Sequence, residues 1–125
     1  MARILIIDDD ESLLFTLGQL LAAAGHAVTT APDGLEAAKL FRAEPFELII
    51  TDIIMPQREG LETIITLRRD FPDVGVIAIS GCAIQSKTYL AMAARLGAHR
   101  TLAKPFTPQQ LTSAIADTLV ARTGK

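Results

Sequence analysis

Four polar clusters each close an apolar run. Asp8-Asp9-Asp10 follows Ile4-Leu5-Ile6-Ile7, Asp52 follows Leu48-Ile49-Ile50-Thr51, Ser80-Gly81 follows Val76-Ile77-Ala78-Ile79, and Lys104-Pro105 follows Thr101-Leu102-Ala103. Carboxylates gathered from two such ends repel one another, and a hard divalent cation relieves the repulsion. Mg2+ suits a site with few carboxylates because it keeps several waters and takes a phosphate oxygen as a ligand. A lysine ammonium and a serine hydroxyl at neighbouring ends would add a cation and a donor for phosphoryl oxygens. Phosphoryl transfer needs mainly positioning and charge stabilisation, so these parts could suffice for Asp52 to accept a phosphoryl group without a separate base.

The elements that must bring these groups together are legible in the apolar pattern. Short β-branched runs predict strands over Arg3 to Asp8, Ala27 to Ala31, Glu47 to Asp52, Val74 to Ser80 and His99 to Ala103. Segments with helical spacing alternate with them, over Leu13 to Ala24, Gly34 to Ala43, Leu61 to Asp70, Ile84 to Leu96 and Pro108 to Ala121. Ile4-Leu5-Ile6-Ile7, Leu48-Ile49-Ile50 and Val76-Ile77-Ala78-Ile79 are continuously apolar rather than alternating, as expected when helices cover both faces of a sheet. In the last helix, Leu111, Ile115 and Leu119 form one stripe, with Gln109, Gln110, Ser113 and Asp117 for the wet side. Gly25 and Gly97 fall where the first and fourth helices should end in a turn through positive φ.

This βα alternation implies a parallel sheet with helices on both faces, and such sheets bind ligands at the carboxyl ends of their strands. If the first and third strands are neighbours, their ends lie about 4.8 Å apart, close enough for Asp8, Asp9 and Asp52 to share one site. Lys104 would stand two strands from Asp52, about 10 Å away in backbone, a gap its long stem can largely cover. Ser80 would sit between them.

The chain has 125 residues, half of them apolar, which fits one domain over 1–121 with a short tail at 122–125. A net charge of -2 without basic clusters gives no footprint for nucleic acid or an anionic membrane. Cys82 is the only cysteine, no apolar run approaches the roughly 20 residues that span a bilayer, and no secretory leader follows Met1, so a reducing cytoplasm is expected. Met1 and the lack of a linker favour a stand-alone protein.

With those motifs in place, the chain resembles a receiver domain of the bacterial two-component response regulators. The matching residues are Ile4-Leu5-Ile6-Ile7-Asp8-Asp9-Asp10, Thr51-Asp52-Ile53-Ile54-Met55-Pro56, Gly60, Ser80-Gly81 and Lys104-Pro105-Phe106. The resemblance implies a flavodoxin-like doubly wound (βα)5 fold with strand order 2-1-3-4-5. It implies that Asp52 is the phosphoacceptor, and that Asp8, Asp9, Asp52 and the backbone carbonyl of Ile54 hold Mg2+ or Mn2+. Ser80 would sense the phosphate, Lys104 would contact it, and the Lys104-Pro105 peptide would be cis. Implied partners are a sensor histidine kinase or histidine phosphotransfer protein and an unidentified downstream protein, met on the face of the fourth helix, fifth strand and fifth helix. The family also allows a phosphorylation-dependent dimer. Such a domain is a signalling phosphoacceptor, not a turnover enzyme for free substrates.

Other residues read more plainly. Asp10, just before the first helix, is expected to cap it. His26 and His99 are expected at the surface near turns, and Cys82, Met55 and Met92 in packing. One position departs from the family: Thr101 stands where an aromatic residue usually reports the state of the site, and Ile54 and Cys82 occupy positions that influence access to it. The Thr101 departure supports an alternative, an interaction module of receiver shape that works without phosphorylation. A small Mg2+-dependent phosphohydrolase is a third reading, without an evident substrate pocket or general acid.

Overall fold

Strands that are apolar on both faces need cover on both sides, and the helices provide it. A computed structural model describes residues 2–53, 59–81 and 86–121, with backbone alone at 59–61 and 86–89. Within them the order is β1 (Arg3–Ile7), α1 (Glu11–Ala23), β2 (Ala27–Ala31), α2 (Gly34–Ala43), β3 (Leu48–Asp52), α3 (Glu59–Asp70), β4 (Gly75–Ser80), α4 (Ser86–Leu96), β5 (Arg100–Ala103) and α5 (Pro108–Ala121). The strands form one parallel sheet in the order β2-β1-β3-β4-β5. The expected doubly wound order is therefore observed. Residues 122–125 lie outside the described residues.

A period of two sorts the residues of β1, β3 and β4 even though nearly all of them are buried. Ile4, Ile6, Leu48, Ile50, Ile77 and Ile79 face Leu14, Leu17 and Leu21 of α1 and Leu111, Ala114 and Ile115 of α5. Leu5, Ile7 and Ile49 face the other way, with Ala37 and Phe41 of α2 and Leu67 of α3. Val76 and Ala78 join Ile53, Ile64 and Ala93 under α3 and α4. On α5 the expected stripe is inside and Gln109, Gln110, Ser113 and Asp117 are exposed.

Some element ends differ from expectation, and at α1 and β4 polar contacts that leave no trace in apolar spacing accompany the difference. Helix α1 starts at Glu11, not Leu13, because the Asp10 carboxylate accepts the N–H groups of Ser12 and Leu13. The described part of α3 begins at Glu59, two residues before Leu61. Strand β4 starts at Gly75, not Val74, whose N–H turns to the Phe71 carbonyl at 3.2 Å. Strand β1 ends one residue before Asp8, β3 begins one residue after Glu47, and β5 begins one residue after His99. Ile84 lies outside the described residues, and the described part of α4 begins at Ser86. Gly25 and Gly97 turn at φ of 96° and 120°, as their positions require.

Candidate functional site

The parallel register sets the site. Ile7 pairs with Thr51, so the next residues, Asp8 and Asp52, emerge side by side at the carboxyl ends of the two central strands. Asp52 pairs with Ile79 and Ser80 pairs with Ala103, which places Ser80 and Lys104 one and two strands further along the same rim. Asp8 is fully buried, Asp52 is 4% exposed, and Asp9 is exposed. Ligand oxygens of these three carboxylates lie within 4.8 Å of one another. A donor set made only of carboxylates is hard-oxygen chemistry that fits Mg2+ or Mn2+. Ile54, with Met55 and Pro56 beside it, and Cys82 lie outside the described residues.

Lys104 closes the site by a route the sequence did not indicate. Its Nζ donates to Asp8 Oδ2 at 2.9 Å and to Asp52 Oδ2 at 3.4 Å, so the ammonium reaches past Asp52's strand to the first strand. The lysine backbone is held as well, because its N–H donates to the Ser80 carbonyl at 2.7 Å. Burial works against charge on Lys104, but its hydrogen bond to Asp8 and the charges of Asp52 and Asp8 outweigh burial, holding the ammonium above the usual lysine range. The Lys104-Pro105 peptide is cis, as expected. Phe106 then packs on the core beneath α1 and α5.

Asp8 is fixed from both sides. Its Oδ1 accepts the Asp10 N–H at 2.9 Å while Oδ2 holds Lys104. Asp10 is the cap of α1 and takes no part in the carboxylate cluster, so the plain reading of that residue stands. Ser80 is buried on β4, between Asp52 and Lys104. Thr101 is half-buried on β5 and pairs with Ala78, away from the carboxylates at the strand end. The structure thus brings Asp8, Asp9, Asp52, Ser80 and Lys104 to one rim and leaves Thr101 further back along β5, the strand that leads into Lys104.

The two histidines differ from expectation. Both lie beside turns, but they are half-buried and hydrogen bonded rather than free at the surface: His26 Nδ1 accepts the Ala2 N–H at 3.0 Å, and His99 Nδ1 accepts the Val76 N–H at 3.1 Å. The reason is backbone N–H groups left over at the start of the central strands. Met92 is 43% exposed on α4, so it is not the packing residue expected.

Comparison with known proteins agrees with this geometry. The family profile described as the response regulator receiver domain matches residues 4–116. The chain is 33% identical over 121 residues to the response regulator receiver protein CpdR of Brucella abortus, covering 97% of this chain and 99% of that one. It is 35% identical over 123 residues to the probable transcriptional regulator ycf27 of Guillardia theta, covering 98% of this chain but only 47% of that protein. The chain thus spans nearly all of one relative and about half of another. Among solved structures, a response regulator receiver domain protein from Clostridium thermocellum superposes with a TM-score of 0.89 at 29% identity, over 98% of each chain. A CheY-like receiver domain protein from Methanospirillum hungatei JF-1 does so with the same score and identity, over 99% of this chain and 98% of that one.

Proposed function

Because the chain belongs to the response regulator receiver domain family, we propose that Asp52 accepts a phosphoryl group from the phosphohistidine of a sensor kinase or histidine phosphotransfer protein. A carboxylate oxygen of Asp52 attacks phosphorus, the P–N bond breaks, and the acyl phosphate forms as the imidazole leaves. Asp8, Asp9 and Asp52 would hold Mg2+ or Mn2+, which when bound supplies positive charge to the phosphoryl oxygens. The backbone carbonyl of Ile54 belongs to the same proposed set.

Lys104 carries this reading. An ammonium lying between Asp8 and Asp52 is placed to follow a new negative charge on Asp52 while its backbone stays anchored to Ser80. The phosphoryl group adds about -1.5 to -2 charge and three acceptor oxygens, enough to draw Lys104 away from Asp8 and the Ser80 hydroxyl inward. Because Lys104 directly follows β5, the displacement acts on that strand and on the surface of α4, β5 and α5 where a downstream protein would dock. Thr101 reports through its hydroxyl or by repacking, in place of an aromatic ring.

Incubation with a small-molecule phosphodonor and Mg2+, followed by intact mass, tests the proposal. One added phosphoryl group is expected on the native chain and none on Asp52→Ala. An unchanged native mass where a control receiver is labelled, or labelling that survives the substitution, overturns it. Partner binding that ignores a demonstrated phosphorylation would favour the phosphorylation-independent module instead.

A further inference from the structure

A parallel strand directs successive N–H groups to opposite neighbours. On β4, Gly75 donates to the Glu47 carbonyl on the β3 side at 2.9 Å, so the Val76 N–H is aimed at β5. Strand β5 begins only at Arg100, after the chain has turned at Gly97, and offers no strand carbonyl there. His99 supplies the missing acceptor. Its Nδ1 takes the Val76 N–H at 3.1 Å, and its own N–H donates to the Val76 carbonyl at 2.7 Å, so the two residues are joined reciprocally. The opposite edge repeats the device: His26 Nδ1 takes the Ala2 N–H, and Ala27, the first residue of β2, donates to the Ala2 carbonyl. Each edge strand of the sheet is fastened at its start by a histidine.

We propose that His99 is an acid-sensitive fastener of the β5 edge, closed while the imidazole is neutral and released when Nδ1 is protonated. An accepting Nδ1 requires the neutral ring with its proton on Nε2. Protonation would set an N–H against the buried Val76 N–H. It would also place a third positive charge beside Arg68 of α3 and Arg100 of β5, the two charges that act on the ring. Around them, Asp117 of α5 lies 3.8 Å from Arg100, the last turn of α4 carries Arg95, and the turn into β4 carries Asp73. Arg68 is fixed in place, donating to the Pro72 carbonyl at 2.9 Å and the Val74 carbonyl at 3.4 Å.

Burial pulls His99 below the usual imidazole range, and Arg68 and Arg100 push the same way. The folded chain thus binds this proton less readily than the unfolded one. The stabilisation is complete above the unfolded value of about 6.5 and is lost as pH falls from there through the depressed folded value. Acid therefore loosens the short edge strand that carries Thr101 and leads into Lys104. The inference stands on the β4–β5 pairing and does not depend on phosphorylation.

Amide hydrogen exchange at Val76 and Gly75, corrected for intrinsic rates and followed from pH 7.5 to well below the His99 titration, tests it alongside an NMR titration of the His99 ring. Expected is a loss of Val76 protection of about fivefold or more in native protein, the scale of one hydrogen bond, with Gly75 unchanged. His99→Asn keeps an acceptor that does not titrate, and should hold Val76 protection constant. Val76 protection that stays flat in the native chain, falls together with Gly75, or falls equally in His99→Asn overturns the proposal. So does a His99 ring that titrates at or above the ordinary histidine value. Should His99→Asn not fold, the contrast between Val76 and Gly75 in native protein decides alone.

Discussion

The ammonium of Lys104 lies 2.9 Å from Oδ2 of Asp8, nearer than the 3.4 Å that separates it from Oδ2 of Asp52. Two buried carboxylates that would repel each other therefore share an internal counter-ion. A divalent cation bound among Asp8, Asp9 and Asp52 would neutralise the same two carboxylates.

Lys104 and the metal should accordingly compete. Lys104→Met leaves Asp8 and Asp52 uncompensated and should lower metal-free stability by about 1–3 kcal/mol, a buried-pair loss discounted because the lysine is partly wet. Mg2+ should then stabilise the variant more than the native chain, since binding to the folded state adds to stability by mass action. Urea denaturation of both proteins, with and without Mg2+, measures the two increments. Equal increments would show that lysine and metal do not contend for the carboxylates.

The same contact has a pH signature. Asp8 and Asp52 raise the folded lysine above its ordinary range despite burial. The stabilisation is thus fully present below the unfolded value of about 10.4 and lost as pH rises through the folded one. The stability gap between native protein and Lys104→Met should stay constant from pH 7 to 9 and shrink in stronger alkali. A gap that already closes between pH 7 and 9 would assign the stabilisation to another group.

Why was Asp52 readable in the sequence while the Lys104–Asp8 contact was not? Asp8, Asp52, Ser80 and Lys104 each end an apolar run, and a parallel sheet puts such ends on one rim, so spacing gives the rim, while the strand order that makes the first and third strands neighbours is what the family resemblance implies. How far a flexible four-carbon stem reaches is decided by local charge, which apolar spacing does not encode. His99 failed for a related reason. Its partner is the Val76 backbone, and a need for an acceptor there arises only from where β5 starts. The early start of α1 likewise belongs to the Asp10 cap, made through side-chain oxygen rather than through hydrophobic periodicity.

Gly97 and Gly25 separate two costs of adding a side chain. Both have positive φ, but a Cβ at Gly25 would meet nothing within 4 Å, whereas at Gly97 it would meet Arg68 Cγ at 2.6 Å. Gly25→Ala should cost about 1–3 kcal/mol through backbone strain alone. Gly97→Ala should cost more, because Arg68 is tied to the Pro72 and Val74 carbonyls and cannot swing aside without breaking those bonds. Urea midpoints of the two variants give the difference. Equal losses would show that Arg68 yields freely.

Thr118 offers the opposite sign, a substitution that should stabilise. It is fully buried on α5, and among the described residues its Oγ1 is the buried side-chain polar atom left without a hydrogen-bond partner. Its Cγ2 meanwhile packs over Gly75, where an added Cβ would come within 2.6 Å of it. Thr118→Val keeps that methyl contact and exchanges the desolvated hydroxyl for a second methyl, so a gain of about 1 kcal/mol is expected. Thr118→Ala removes the hydroxyl and the packing methyl together, and the void over Gly75 should cancel the gain. Thermal and urea denaturation rank the three proteins, with Val above native and Ala at or below it. A Val variant less stable than native would mean that the Thr118 hydroxyl has a partner in solution, a buried water being the simplest one.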